Sequence, residues 1–432
     1  MRITLLDALA DDTTSARVRT GLSEAGVLGA DHRLRGERFA PCQGCFQCWV
    51  EHPGTCRAKD AANGVMRDVI EADAILWLTR PRFGAWDPVA KVALDKTIGL
   101  LLPFFGTVEG ETHHLRRYPR YPRWAVLASV PPTTPDDERE AFRLLVERNA
   151  LNLHEHAPRV SFVPTDADAT TVREAARGLV GALEAPSAPV FPQLAPFEAP
   201  ATAVRGPAET PRHAVIWVGS AKPAGTSTSE ALGAALEARL AAEGWTTERL
   251  HVARTVKLGR GAAPKLVEAA RRADLLVLAS PVYFDALPSI VLAGLAALAD
   301  ADLGDEAPAL LPIVQCGFPE LAHTALAVEV AHRAAAEAGM PWAGHLALGG
   351  GGALHGANLD EATGKAARQV EALDEVAAAL DAGRPVPAEA TDAFATPILS
   401  PRLYRAVGQV GWLARALKEG AATHLWDRPF EG

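Results

Sequence analysis

Two segments of this chain follow the same formula. DAILWLTRPRFGAWDP at 73–88 and DLLVLASPVYFDALP at 274–288 each set an aspartate before an apolar run, then a proline, then an aromatic two residues on. An unbroken apolar run of that length reads as a strand buried on both faces, the kind found in parallel sheets between helical layers. The flanking segments repeat as well. RITLLDAL and HAVIWVGS read as first strands, SARVRTGLSEAG and SEALGAALEARLAAEG as the helices after them, and RWAVLASVPP and ALLPIVQCGFPE as fourth strands. TTERLHVA reads as a second strand, and RVSFVPTDA and PWAGHLALGGGG as fifth strands, for an expected five in each set. The expected fold is α/β: two tandem doubly wound domains with five-stranded parallel sheets, related by internal duplication.

The segment between them, 186–211, carries seven prolines and little helical periodicity, and reads as an extended spacer. It divides the chain into a first domain at 1–185, a second at 212–385 and a helical C-terminal tail at 386–432. In the tail, Leu403, Val407, Val410, Ala414 and Leu417 recur at helical spacing. That stripe is expected to dock on the domains or on a second copy, with Arg402, Arg405, Arg415 and Lys418 leaving a membrane surface as the minor alternative.

A length of 432 residues accommodates two or three domains, and a net charge of −9 argues against general nucleic-acid binding. No run approaches the roughly 20 apolar residues that span a bilayer, and the opening MRITLLDALADD reads as strand and turn rather than a leader, so a cytoplasmic setting is expected.

Ligands of open parallel sheets bind at the carboxyl ends of the strands. After the first strand of the second domain comes GSAKPAGTSTSEAL. Its hydroxyls (Ser220, Thr226, Ser227, Thr228 and Ser229), the charge of Lys222 and the first amides of the following helix would cradle a phosphate. It lacks the signatures of a Walker loop and of a dinucleotide fingerprint. After the third strand, Pro281, Val282, Tyr283 and Phe284 offer backbone amides and rings to a flat ligand. Gly317 and Gly350, in CGFPE and GGGGALHG, permit close backbone approach or simply a turn. The matching loop of the first domain, LLDALADDTTSARVR, has no glycine and sets Asp7, Asp11 and Asp12 where a phosphate would lie. Its aromatics Phe83 and Trp86 are expected to face a neighbouring domain.

Four of the five cysteines sit in CQGCFQCWVEHPGTC. Cys42, Cys45, Cys48 and Cys56 give C-x2-C-x2-C-x7-C. A compact triplet with a fourth cysteine beyond a turn favours a [4Fe–4S] cluster over zinc, whose ligands more often come as two separated pairs; unliganded thiols stay open. A reducing compartment disfavours disulfides. Cys316 reads as a small buried residue, and His113, His114, His323, His332, His345 and His355 show no ligand spacing.

GSAKPAGTSTS followed by ASPVYFDALPS resembles the flavodoxin-like NAD(P)H-dependent FMN reductase and quinone reductase superfamily, with Lys222 where arginine is usual. The cysteine stretch, with Pro41, Gly44 and Gly54 around it, resembles the iron–sulfur flavoprotein branch. The resemblance implies two flavodoxin-like domains. FMN would sit in the second, reduced by NAD(P)H, and the first would hold a [4Fe–4S] cluster on Cys42, Cys45, Cys48 and Cys56. It implies a small-molecule or protein electron acceptor and leaves room for a homo-oligomer. A flavin-only quinone, azo or nitro reductase with structural or zinc-binding cysteines is the nearest alternative, and an electron carrier or binding protein the more distant one.

Overall fold

The computed structural model describes the chain except residues 10–11, 205–210, 259–262, 305, 355–358, 360–363, 365 and 432, and the side chain of Asp12. The described residues form two compact units: Met1–Pro192 with Ala406–Gly432, and Gln193–Arg405.

In the first unit, strands β1 (Ile3–Asp7), β2 (Leu28–Arg33) and β3 (Ala74–Thr79) are followed by a hairpin, β4 (Leu101–Val108) and β5 (Glu111–Arg116). β6 (Arg123–Val130) and β7 (Arg159–Pro164) then complete a parallel sheet in the order β2-β1-β3-β6-β7. In the second unit, β8 (His213–Val218), β9 (Thr246–His251), β10 (Leu275–Pro281), β11 (Ala309–Gln315) and β12 (Leu346–Leu348) run β12-β11-β10-β8-β9. Counted from the first strand of each set, both sheets have the order 2-1-3-4-5 of the flavodoxin-like fold. The two repeated segments occupy equivalent central places: every residue of β3 and of β10 is buried. Helices with one apolar face cover such strands on both sides. The core of the second unit joins Ile216, Val277 and Leu311 of the sheet to Leu232 and Leu236 of the helix Thr228–Ala242 and to Leu373 and Val376 of Ala367–Asp381.

The β4–β5 hairpin stands outside both parallel sheets and was not foreseen. Leu101–Val108 pairs antiparallel with Glu111–Arg116 through a turn in which Glu109 (φ 48°) and Gly110 (φ 91°) are both left-handed. His113 and His114 lie on it, His113 fully buried. Phe83 and Trp86, expected to face a neighbour, are instead 3 % and 2 % exposed inside their own unit. Trp86 packs on Trp77 and Phe142 and donates its indole N–H to Asn149.

The tail forms the helix Pro401–Lys418. Its docked side is not the Leu/Val stripe. Gly408 lies against the Phe105 ring, and the Gln409 amide both accepts from and donates to the Phe105 backbone. Trp412 meets Phe46 and Trp49 edge-on, and Ala416 is fully buried. Small and amide side chains let this face approach closely, and Leu403, Val407, Val410 and Leu417 are left 50–68 % exposed.

Candidate functional site

At the carboxyl end of the second sheet the three loops singled out by sequence meet at one residue, Gln315, the last of β11. Its carbonyl accepts from the amide of Val282 at 2.8 Å, and its side-chain amide donates to Ser229 Oγ at 3.2 Å. A methyl group on Gly351 would come within 2.2 Å of its Oε1, so a larger residue there would displace the glutamine amide. Thr228 Oγ1 also donates to the Gly351 carbonyl at 3.2 Å, joining the hydroxyl loop to the glycine strap. Nothing about a glutamine at the end of an apolar strand marks this role in sequence.

The hydroxyl loop begins at Gly219, where a Cβ would meet Ser280 Oγ and Val291 at 2.9 Å. Ser220 is buried and takes the amide of Lys222 on its Oγ at 3.3 Å. Thr226 donates to the Pro223 carbonyl at 2.6 Å. Ser227 caps the helix Thr228–Ala242, accepting from the amide of Glu230 at 3.1 Å. The first two helical amides, those of Thr228 and Ser229, have no intrahelical acceptor and carry the positive end of the dipole. One carboxylate enters this setting: Glu230, buried, accepts from the Gly225 amide at 2.6 Å. Its other oxygen faces His251 Nε2 at 3.5 Å and Arg249 at 3.8 Å, whose guanidinium offsets its charge.

The aromatic loop is a tight turn in which Tyr283 and Ala286 exchange backbone hydrogen bonds, with Phe284 at φ 53° and Asp285 at φ 54°. Two successive left-handed residues define a turn that normally recruits glycine or asparagine. The first unit has the same turn at Arg82–Ala85, with Phe83 (φ 61°) followed by Gly84 (φ 73°). Where that turn has glycine, the second unit places Asp285, whose carboxylate meets His323 Nδ1 at 2.6 Å with both groups buried. His323 lies 3.8 Å from Glu320, which lies 3.5 Å from Arg405, and its ring packs on Phe318. Burial, with Asp285 adding to it, pushes the Cys316 thiol up to about 12, so it stays protonated.

Of the other predicted positions, Gly317 has open space on its Cβ side, whereas Gly350 (φ 69°) has the Tyr404 ring at 3.4 Å. Tyr404 comes from the tail helix and was not foreseen. Its hydroxyl would meet a Cβ on Gly352 at 2.8 Å. Burial, followed by Cys316 and Glu320, raises its pKa, so it too stays neutral.

In the first unit the equivalent loop holds an acid. Asp7, at the end of β1, accepts from the Leu9 amide at 2.9 Å and pairs with Arg19 at 2.7 Å. Asp11 lies outside the described residues.

The four clustered cysteines are free thiols on a loop built from left-handed Gly44, Phe46 and Gly54 and the short helix Gln47–Val50. Asn63 closes the loop on both backbone groups of Cys56. Lys96 reaches Cys56 Sγ at 3.4 Å and Asp60 at 3.1 Å. Burial works against the Lys96 charge, but Cys56 and Asp60 outweigh it and raise its pKa. Burial, then Asp95, pushes Cys42 up to about 12, and burial with the neighbouring thiols pushes Cys48 well above the usual range. Among the described residues, no three His, Cys, Asp or Glu side chains converge so as to hold a metal ion. That gives no support to the [4Fe–4S] cluster, or to the zinc ion, expected from the spacing, although Cys42, Cys45 and Cys56 all lie near enough to Cys48 to raise its pKa. His355 lies outside the described residues.

No family profile and no curated protein matches the chain. Among solved structures, part of it is similar to an azoreductase from Bacillus anthracis str. Sterne (16 % identity, 38 % of this chain and 98 % of that one, TM-score 0.30). It is similar also to an FMN-dependent NADH-azoreductase from Bacillus anthracis str. Ames Ancestor in complex with FMN (14 % identity, 43 % and 98 %, TM-score 0.31). A third is an NAD(P)H:quinone oxidoreductase from Methanothermobacter marburgensis (17 % identity, 33 % and 88 %, TM-score 0.26). These likenesses are partial, and the fold assignment stands on strand order alone.

Proposed function

We propose that the second unit binds FMN and, with NAD(P)H as donor, reduces a small quinone, azo or nitro acceptor. The observation that carries this reading is the convergence on Gln315, the last residue of β11, of a hydroxyl-rich helix start, a tight aromatic turn and a glycine strap at the ends of β8, β10 and β12. Ser220, Lys222, Thr226, Ser227, Thr228 and Ser229 would hold the phosphate, with the charge of Glu230 offset by Arg249. Pro281, Val282, Tyr283, Phe284, Gly317 and Gly350 would border the ring system. FMN, when bound, supplies hydride acceptance and onward electron delivery. The protein's own part is to bind and orient it and to keep nearby thiol and phenol groups protonated.

The first unit, with Asp7 and Arg19 paired where a phosphate would lie, is read as carrying no FMN. Its cysteines are read as thiols, and no electron transfer is routed through them. The full chain should purify yellow or take up FMN to near-stoichiometric content, and should consume NADPH or NADH when a benzoquinone is supplied. A colourless protein that fails to take up added FMN would overturn the proposal.

A further inference from the structure

We infer that the outward face of the tail helix Pro401–Lys418 seats in the surface of an anionic membrane. At about 100° per residue, Leu403, Val407, Val410, Leu413 and Leu417 fall within one arc of about 120°, and the two alanines that share it are exposed as well. The five large residues are 39–68 % exposed. Contacts on the opposite side hold this face outward: Gly408 on Phe105, the paired hydrogen bonds of Gln409, and Arg415 donating to the Cys45 carbonyl at 2.9 Å.

Charge and area select the occupant. Every charged residue of the helix is basic: Arg402, Arg405, Arg415 and Lys418. Arg405 is engaged by Glu320 and Arg415 by Cys45. Arg402 and Lys418 are exposed and border the apolar arc on either side. A second copy packed helix to helix would bring these cations together. It would also bury only about 270 Å² a side, from about 27 Å of helix length and about 10 Å of width, against the roughly 800 Å² per partner of a stable interface. A lipid surface has neither requirement. Apolar side chains sink roughly 5–10 Å into the headgroup boundary, while flanking Arg and Lys reach phosphates. The contact is peripheral, since no helix among the described residues is long and apolar enough to cross a membrane. The net charge of −9 opposes approach from a distance, so attraction rests on local cations and weakens as salt rises.

Sedimentation of the full chain with phosphatidylcholine vesicles, alone or mixed with phosphatidylglycerol, tests this. The protein should pellet with the mixed vesicles at low salt and be released at high salt. Val410→Asp with Leu417→Asp, both exposed and so without cost to the fold, should lower partitioning at least about tenfold. Arg402→Glu with Lys418→Glu should remove the preference for anionic lipid. Circular dichroism melting checks that both variants are folded. The inference is overturned if the protein stays in the supernatant with both vesicle types, or if the aspartate variant partitions like the parent. It is overturned equally if analytical ultracentrifugation reveals a dimer that the aspartate variant breaks, since a second copy would then cover the face.

Discussion

Asp285 sits in a backbone conformation that favours glycine and is retained there against its own strain, so removing it has an unusual signature. In Asp285→Ala the buried partner of His323 is lost while the left-handed φ of 54° remains. Leaving one side of a buried hydrogen bond unsatisfied costs about 3 kcal/mol. In Asp285→Gly the same pair is lost, but relief of the left-handed strain returns about 1 kcal/mol, leaving a net loss of about 2 kcal/mol. Hydrogen–deuterium exchange by mass spectrometry, read on peptides covering 275–290 and 309–330, is local enough to avoid assuming that the whole chain unfolds in one step. At about 1.4 kcal/mol per tenfold, slow amides there should exchange about a hundredfold faster in the alanine variant and about thirtyfold faster in the glycine variant. His323→Ala should resemble the alanine variant, and the double variant should cost less than the sum of the two singles. The reasoning fails if Asp285→Gly protects these peptides as well as the parent does, because the turn would then prefer the glycine of Arg82–Ala85 and the pair would contribute nothing.

Four further outcomes are expected. Ser220→Ala with Lys222→Glu should abolish flavin retention, measured by absorbance after gel filtration, with the melting profile of the chain preserved. Iron and zinc analysis of anaerobically purified protein should give well under one metal per chain if the cysteines are plain thiols, as proposed; about four irons per chain would refute that reading. His114 is half-buried and held down to about 3, by desolvation first and His113 second, and His345 to about 4 by desolvation. Both are neutral when folded and take up protons when unfolded, so their contribution is full above about pH 6.5 and is lost as pH falls toward those values. Acid melting curves should show this, and His114→Phe should lessen it. Gly294→Ala would set a methyl 2.5 Å from the Trp217 ring and should destabilise the second unit by about 1–3 kcal/mol in denaturant titration.

Sequence periodicity was enough for the two parallel sheets, because strands such as AILWLT and LLVLASP are buried on both faces and read as unbroken apolar runs. The β4–β5 hairpin escaped because ETHHLR is polar by composition. Its burial comes from tertiary packing, and the turn uses Glu-Gly instead of the commoner Asn-Gly. The hydroxyl loop was legible because a strand and a helix frame it. Gln315, Tyr404 and the Asp285–His323 pair were not, since each owes its role to a partner distant along the chain. For the tail, spacing identified the helix but not its docked side. Close packing rewarded Gly408 and Ala416 over the larger apolar residues.

The first unit is discontinuous, with Ala406–Gly432 grouped with Met1–Pro192. Arg117 is buried and donates to the carbonyls of Leu425 and Asp427, and Arg428 donates back to the Arg117 carbonyl. Pro429 packs against Gly54 of the cysteine loop. During translation the strands of this unit emerge first, with Gly99 and Leu101 taking two donors of Arg117, yet the carbonyls that take its Nη1 follow only after Gln193–Arg405 has been made. At roughly 5–20 residues per second, that leaves a nascent domain waiting roughly 10–40 s with one guanidinium nitrogen unpaired by the tail and a cysteine loop uncovered. Thiols exposed for that interval are open to oxidation or to capture by a chaperone, so the yield of reduced, folded protein should depend on elongation speed as well as on final stability.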